Sequence, residues 1–310
     1  MSVQIYSIIS KLISESFLSL YPVFVKKIGL SIPLQLWTRL LAYVIISLFF
    51  VNYAFIKSNI LQYNSLLLGF VNLAHIYFSY MGFKYLDSGV SFALFNTYPF
   101  MILLLSNSPW NNAYILAIIG FMAFIYENYI HNDIKKEDIQ KEDIQEEDKT
   151  WIYHNKFLFG VIMIILSALT EAIIYFLIKG VKTENSWNHL FISYFLGAVI
   201  ISIYFLIVYI KNGKIEEFNQ NEDDESRKIT QNQRIIIALV LNGFIGALGY
   251  TLRFYSAYRL NPQIYAILSY FGIIMAYIYG IVMNNEKLTG YKVFGTLCII
   301  LANYMILGRK

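Results

Sequence analysis

The chain has 310 residues, of which 57% are hydrophobic, 17% aromatic and only 14% charged, with a mean hydropathy of +0.53. An ordinary soluble domain is roughly 25% charged, and a single core could not hide this much apolar surface, so lipid is the natural solvent for most of the chain. The net charge of +4 is scattered between apolar runs, which gives no case for a nucleic-acid partner, and the single cysteine, Cys298, rules out an intramolecular disulfide.

A membrane-spanning helix needs about 20 mostly apolar residues. Such runs fall at about 3–25, 33–56, 63–84, 88–107, 112–130, 157–179, 188–210, 233–252, 262–283 and 289–308. None alternates polar with apolar residues as a membrane β-strand would, so the fold class is all-α integral membrane. The first run lacks the basic start and small-residue cleavage site of a signal peptide and reads as a retained helix. It holds Glu15 near its middle, with Lys11 one helical turn before it and on the same face. The second run contains Arg39. The third, in "GFVNLAHIYFSYMGF", places Asn72 and His75 near its midpoint. A histidine there either makes a structural hydrogen bond or lines a cavity and passes protons near neutral pH. The fourth contains Asn96 and Thr97 just before Pro99.

After the fifth run comes a charged segment, 131–156, with a degenerate KEDIQ repeat, and a second polar loop follows at 211–234; both read as solvated linkers. The sixth run, "LSALTEAIIYFLIKG", holds Glu171 with no Lys, Arg or His at i±3 or i±4. A carboxylate in hydrocarbon costs roughly 2.5–3.5 kcal/mol on insertion scales. Glu171 therefore needs a basic group from another helix, protonation, or a water-filled cavity. The eighth run carries Asn242 and a small-residue face of Gly243, Gly246, Ala247 and Gly249, suited to close helix packing. Arg39, Lys84, Lys179, Arg253 and Arg259 are placed near helix ends, where long basic side chains snorkel to headgroups. Arg253 and Arg259 flank the short junction to the ninth run, where they could draw an anionic substrate to a cavity mouth. In the ninth run Tyr265 and Tyr270 are the candidates to line a cavity.

Five runs precede the charged linker and five follow it. "ESFLSLYPVFVK" (15–26) lies over "EAIIYFLIKGVK" (171–182), bringing Glu15 opposite Glu171 and Lys26 opposite Lys182. "YVIISLFF" (43–50) lies over "AVIISIYF" (198–205), and "ALFNTYPF" (93–100) over "AILSYFGI" (266–273). Three matches in the same order predict a duplication: a first five-helix repeat at 1–130, the linker at 131–156 and a second repeat at 157–310. An odd number of spans turns the second copy upside down. Inverted repeats of this kind build carriers with a midplane site between the halves.

"MGFKYLDSGVSFALFNTYPFMILLL" (81–105), with its Asp87–Ser88–Gly89 turn and Pro99, resembles the third-to-fourth helix region of the drug/metabolite transporter superfamily, in its EamA-type branch. "NNEKLTGYKVFGTLCIILANYMIL" (284–307) is similar to that family's last-helix signature, with Glu286 before Gly295, and Arg39 fits as well. The first half departs from the pattern: "NSPWNNAY" (107–114) has no Glu where that signature would often recur. The resemblance implies ten helices and carriage of a small molecule. It also implies that spans one, three, four, six, eight and nine line the cavity.

The resulting expectation is a secondary transporter of a small organic metabolite working by alternating access, with coupling to protons open. Glu171, Glu15, Asn72, His75, Asn96 and Tyr270 are the substrate- or proton-binding candidates, and Arg253 and Arg259 the cavity mouth. The alternatives are an anion exchanger of nucleotide-sugar or sugar-phosphate type and a non-transporting membrane scaffold or integral enzyme. No HExxH, GxSxG, P-loop or metal-spaced Cys–His set occurs, so neither catalysis nor a cofactor nor a metal is expected. The partners are the bilayer, a small-molecule substrate and, left open, a second copy of the chain. The location is a multi-pass protein with the plasma membrane as the default. With both termini cytoplasmic, as the resemblance implies, Lys26, Lys27, Lys84 and Lys287 face outward against the positive-inside rule, so orientation stays open.

Overall fold

The computed structural model describes residues 2–105, 112–139, 155–213, 215 and 230–307. Among the described residues every regular element is helical. Hydrocarbon offers no water to an open backbone, so each helix satisfies its own amides and carbonyls. Most of the KEDIQ repeat and most of the second polar loop lie outside the described residues.

Several runs that read as single spans are broken, each at a residue that explains the break. The first divides into α1 (Ser2–Leu18) and α2 (Tyr21–Lys27), with Pro22 in the first turn of α2, where its missing N–H costs nothing. The second ends earlier than its hydropathy suggests, as α3 (Ile32–Leu48), and a turn leads into α4 (Tyr53–Asn59). Asn52 starts α4 by accepting the Phe55 amide on its side chain, 3.1 Å away. After α5 (Tyr63–Tyr85), the fourth run divides into α6 (Ser88–Phe95) and α7 (Tyr98–Leu105). Pro99 lies in the first turn of α7 and could not have continued α6 without clashing with the preceding turn.

Then follow α8 (Ala113–Ile139), α9 (Lys156–Gly180) and α10 (Ser186–Asn212), the last stopped by Gly213 at φ +69°, the left-handed cap that glycine adopts without strain. The eighth run extends beyond its expected end. It comprises α11 (Gln231–Leu241), a π-helical turn π1 (Asn242–Ala247) and α12 (Leu248–Arg259), continuous through Arg259. The chain closes with α13 (Pro262–Asn284) and α14 (Gly290–Leu307).

Among the described residues seven helical stretches are long and apolar enough to cross a bilayer: Gln4–Lys27, Tyr63–Tyr85, Ala113–Ile130, Lys156–Ile178, Ser186–Asn212, Gln231–Arg259 and Ile267–Asn284. The chain is an integral multi-pass membrane protein. Its outward faces are apolar, with Ile203, Leu206, Ile207 and Ile210 of α10 and Ile236, Val240 and Phe244 of α11 and π1 exposed. In water such a surface would aggregate; against lipid it is solvated.

Inside, α9 packs on α5, α14 on α8, α10 on α3 and α5, and α1 on α12 and α13, while α13 also meets α6. Leu40, Leu68, Ile164 and Ile273 are wholly buried in the shared core. The α8–α14 contact is backbone to backbone. A Cβ on Gly120 would stand 2.6 Å from the Gly295 carbonyl, and one on Gly295 would stand 2.7 Å from the Gly120 carbonyl. Only two glycines allow that approach, the small-residue packing that membranes favour when neither lipid nor helix gains from burial.

Candidate functional site

The polar residues stranded in apolar helices converge on one cluster. On α1, Lys11 Nζ lies 2.5 Å from Glu15 Oε1, one turn away, with both side chains buried. The Lys11 ammonium also stands 3.6 Å from the centre of the Tyr265 ring at the start of α13. Tyr265 in turn accepts a hydrogen bond from Arg253 Nε of α12 at 3.2 Å. Arg253 Nη2 donates to Glu171 Oε1 of α9 at 2.6 Å. The cluster thus contains two carboxylates and two cations and is formally neutral, the arrangement that makes burial of charge tolerable. The α13 backbone closes on it at Gly272, where a Cβ would lie 2.6 Å from Glu15 Oε2.

His75 of α5 completes the cluster from the far side. Its Nδ1 lies 3.1 Å from the Ser167 carbonyl and 3.2 Å from Thr170 Oγ1. A carbonyl only accepts, so Nδ1 carries the hydrogen in that contact. In neutral imidazole this leaves Nε2 as a bare acceptor, and Nε2 faces Glu171 Oε2 at 3.6 Å. Two acceptors face one another there, a gap that one proton would bridge. Ser79 and Ser167, whose hydroxyls are 2.6 Å apart, brace the same α5–α9 contact.

Of the residues expected to bind, Glu15, Glu171 and His75 meet in this cluster. Asn72 and Asn96 are buried but bond back to their own helices, to Leu68 O at 2.9 Å and Phe92 O at 2.8 Å. Tyr270 is buried with its hydroxyl unpartnered among the described residues. Arg253 and Arg259, expected together at a mouth, are separated. Arg253 turns inward to Glu171, whereas Arg259 is exposed, donating to Tyr255 O at 3.3 Å and stacking on that ring at 4.0 Å. Arg39 also departs from its expected place at a helix end: it lies well inside α3 and is only 3% exposed. Ser167 and Thr170 escaped notice, although their spacing one turn and one residue before Glu171 signals a polar stripe on that helix.

A second polar network joins helix ends at one side of the bundle. Glu286, in the α13–α14 connection, accepts from the Ser88 amide at 2.7 Å and hydroxyl at 2.8 Å, and from Lys26 Nζ at 2.6 Å. Its carboxylate serves the start of α6, where Asp87 makes no side-chain cap. Asp87 pairs instead with Lys292 Nζ at 2.6 Å. Glu127 of α8 accepts from Thr289 at 2.6 Å. These bonds tie α2, α6, α8, α13 and α14 together. Among the described residues no group of three His, Cys, Asp or Glu is placed to hold a metal.

Residues 158–308 match the model of the EamA-like transporter family, in keeping with the drug/metabolite transporter superfamily. The second half of the chain is thus similar to that family, a family of membrane transporters. No curated protein matches the sequence. A solved structure described only as "Crystal structure of protein" aligns over 99% of this chain and 98% of that chain, with 10% identity and a TM-score of 0.49, a likeness too loose to carry an argument.

Proposed function

We propose that this EamA-like chain is a secondary carrier that moves a small organic metabolite by alternating access between two inverted five-helix repeats, 1–130 and 157–310, joined by the charged segment 131–156. The pairing of helices supports the repeat. Exchange α1–α2 with α9, α3 with α10, α5 with α11–π1–α12, α6–α7 with α13, and α8 with α14. The contacts then map onto themselves: α1 on α12 mirrors α9 on α5, α1 on α13 mirrors α9 on α6 and α7, and α3 on π1 mirrors α10 on α5. The pairs α3–α10, α6–α13 and α8–α14 each map to themselves, as contacts on a pseudo-twofold axis must. On this reading α3, α6–α7 and α14 complete ten spans beside the seven long apolar stretches.

The observation that carries the function is the origin of the buried cluster. Lys11, Glu15 and His75 come from the first repeat, and Arg253, Tyr265 and Glu171 from the second. Rocking the halves would break and remake these contacts, so a solute or proton that alters them biases the two states. The facing acceptors of His75 and Glu171 make a proton the simplest coupling ion, because occupying that gap changes the charge that Arg253 meets. Reconstitution into liposomes tests the proposal, using radiolabelled amino acids, nucleosides, nucleotide sugars and vitamins with and without a pH gradient. Flux of a member of this panel is expected, with loss of its pH dependence in Glu171→Gln. Absence of any flux would refute the carrier, and full pH-dependent flux in the variant would refute Glu171 as the ionisable group.

A further inference from the structure

Arg39 stands apart from the other buried cations. Lys11, Lys292 and Arg253 each have a carboxylate within reach, at 2.5, 2.6 and 2.6 Å. Arg39 has none among the described residues, although it is 3% exposed. Its guanidinium lies instead in a cage of tyrosine rings: Tyr21 at 4.1 Å, Tyr80 and Tyr250 at 5.3 Å, and Tyr43 at 5.4 Å. Such faces attract a desolvated cation, but they supply no oxygen acceptor for its in-plane N–H groups. Nη2 finds the Tyr250 hydroxyl at 2.8 Å, and Nε is buried with no partner. A buried, unsatisfied, charged donor is costly, and an anion would remove that cost.

We infer that the Arg39 cage is an anion subsite that receives the carboxylate or phosphate group of the transported molecule; this rests on the carrier reading above. The cage is rigidly held. Tyr21 donates to Asn242 Oδ1 at 2.8 Å and therefore accepts from the Tyr43 hydroxyl at 2.6 Å. Asn242 opens the π-helical turn, a distortion that recurs at functional sites. Gly246 within that turn lets both hydroxyls lie against the helix, since any Cβ there would collide with them. The Tyr250 hydroxyl accepts from Arg39, so its own proton remains to be donated beside the guanidinium. Together they offer an anion a fixed cation and a hydroxyl donor.

The position of the cage fits the role. A cleft lined by Ile28, Gln35, Thr38, Tyr21, Tyr80 and Asn242 borders it. With only about 10 Å³ of free space, room for about one water, the cleft is closed to a solute in this state, so entry requires the rocking proposed above. On the other side Tyr250 links the cage to the neutral cluster: its ring lies 5.8 Å from the Arg253 guanidinium, one turn along α12. The anion subsite and the Glu171–Arg253 pair are therefore one side chain apart, with Tyr250 between them.

The test is equilibrium binding to the purified full chain in detergent, in chloride-free buffer, with radiolabelled benzoate, glutamate and inorganic phosphate. At least one should bind saturably, and the arm that does assigns carboxylate or phosphate. Arg39→Lys keeps the charge but loses the planar fork, so affinity should fall about tenfold or more. Tyr250→Phe keeps the ring but removes the hydroxyl donor beside Nη2, so affinity should fall at least about threefold. If Arg39→Lys is not monodisperse, Tyr250→Phe decides alone. No saturable binding of any of the three anions, or affinity unchanged in the folded variants, would overturn the inference. Failure of the carrier reading looks different: anions bind but no solute crosses liposomes. Flux of a neutral solute indifferent to Arg39→Lys would instead remove the anion subsite and leave the carrier.

Discussion

The Glu171–Arg253 contact joins the two halves of the cluster, and removing it from one side should be costly. The two side chains are 15% and 12% exposed, and their nearest atoms are 2.6 Å apart. Unit charges about 4 Å apart attract by about 4 kcal/mol at an effective dielectric near 20. Breaking such a buried pair from one side costs about 3–5 kcal/mol, because the orphaned charge stays behind. Each orphan here retains one neighbour: Tyr265 for Arg253 and, for Glu171, the His75 ring, which compensates it only on taking up a proton. The lower end, about 3 kcal/mol, therefore applies to Glu171→Gln and to Arg253→Met alike. At roughly 2 °C per kcal/mol for a chain of this length, each variant should melt about 6 °C below the wild type in detergent. The double variant leaves no orphan and should recover most of the loss, melting well above either single one, a coupling of more than about 3 kcal/mol in the thermodynamic cycle. If the two losses simply add, the pair is not coupled as the geometry requires, and the cluster could not serve as the contact that rocking makes and breaks.

Glu286→Gln removes the charge that Lys26 and the start of α6 share and should cost about 1–2 kcal/mol. Adding Lys26→Gln to it should lower the melting point little further, whereas independent losses would show that the two groups do not act together. Gly295→Ala forces a methyl against the Gly120 carbonyl and should cost about 1–3 kcal/mol by parting α8 from α14. Gly290→Ala, with open space at its Cβ, is the matched control and should change the melting point negligibly; equal losses at the two sites would refute the packing argument.

Much of this is legible in the chain itself. Composition and apolar runs determine an all-helical membrane protein, because hydrocarbon admits few other backbones. The Lys11–Glu15 pair is legible because helical geometry fixes which residues four apart must meet. Glu171 is conspicuous for the converse reason: the helix supplies it no partner, so the partner had to come from elsewhere. It comes from Arg253, 82 residues further along, and no local rule could name it. The breaks at Pro22, Asn52 and Pro99 follow from residues that are visible in advance, though the runs around them read as continuous.

The tertiary structure decided which cations are structural anchors and which are embedded in the bundle. Arg39 and Arg253 read as snorkelling residues, because a hydropathy run locates a helix but gives no facing direction. In a soluble protein the apolar stripe would supply that direction. Here the lipid side is as apolar as the interior, so the stripe is absent, and only packing shows that both guanidinium groups turn inward. The π-helical turn at Asn242–Ala247 is likewise invisible beforehand, since the same residues form an ordinary α-helix unless the tyrosines packed against them favour otherwise. The order of residues alone settles the solvent, the helices and the presence of charges that need partners; the packing of distant helices settles the partners, because those contacts depend on faces that apolar surroundings leave unmarked.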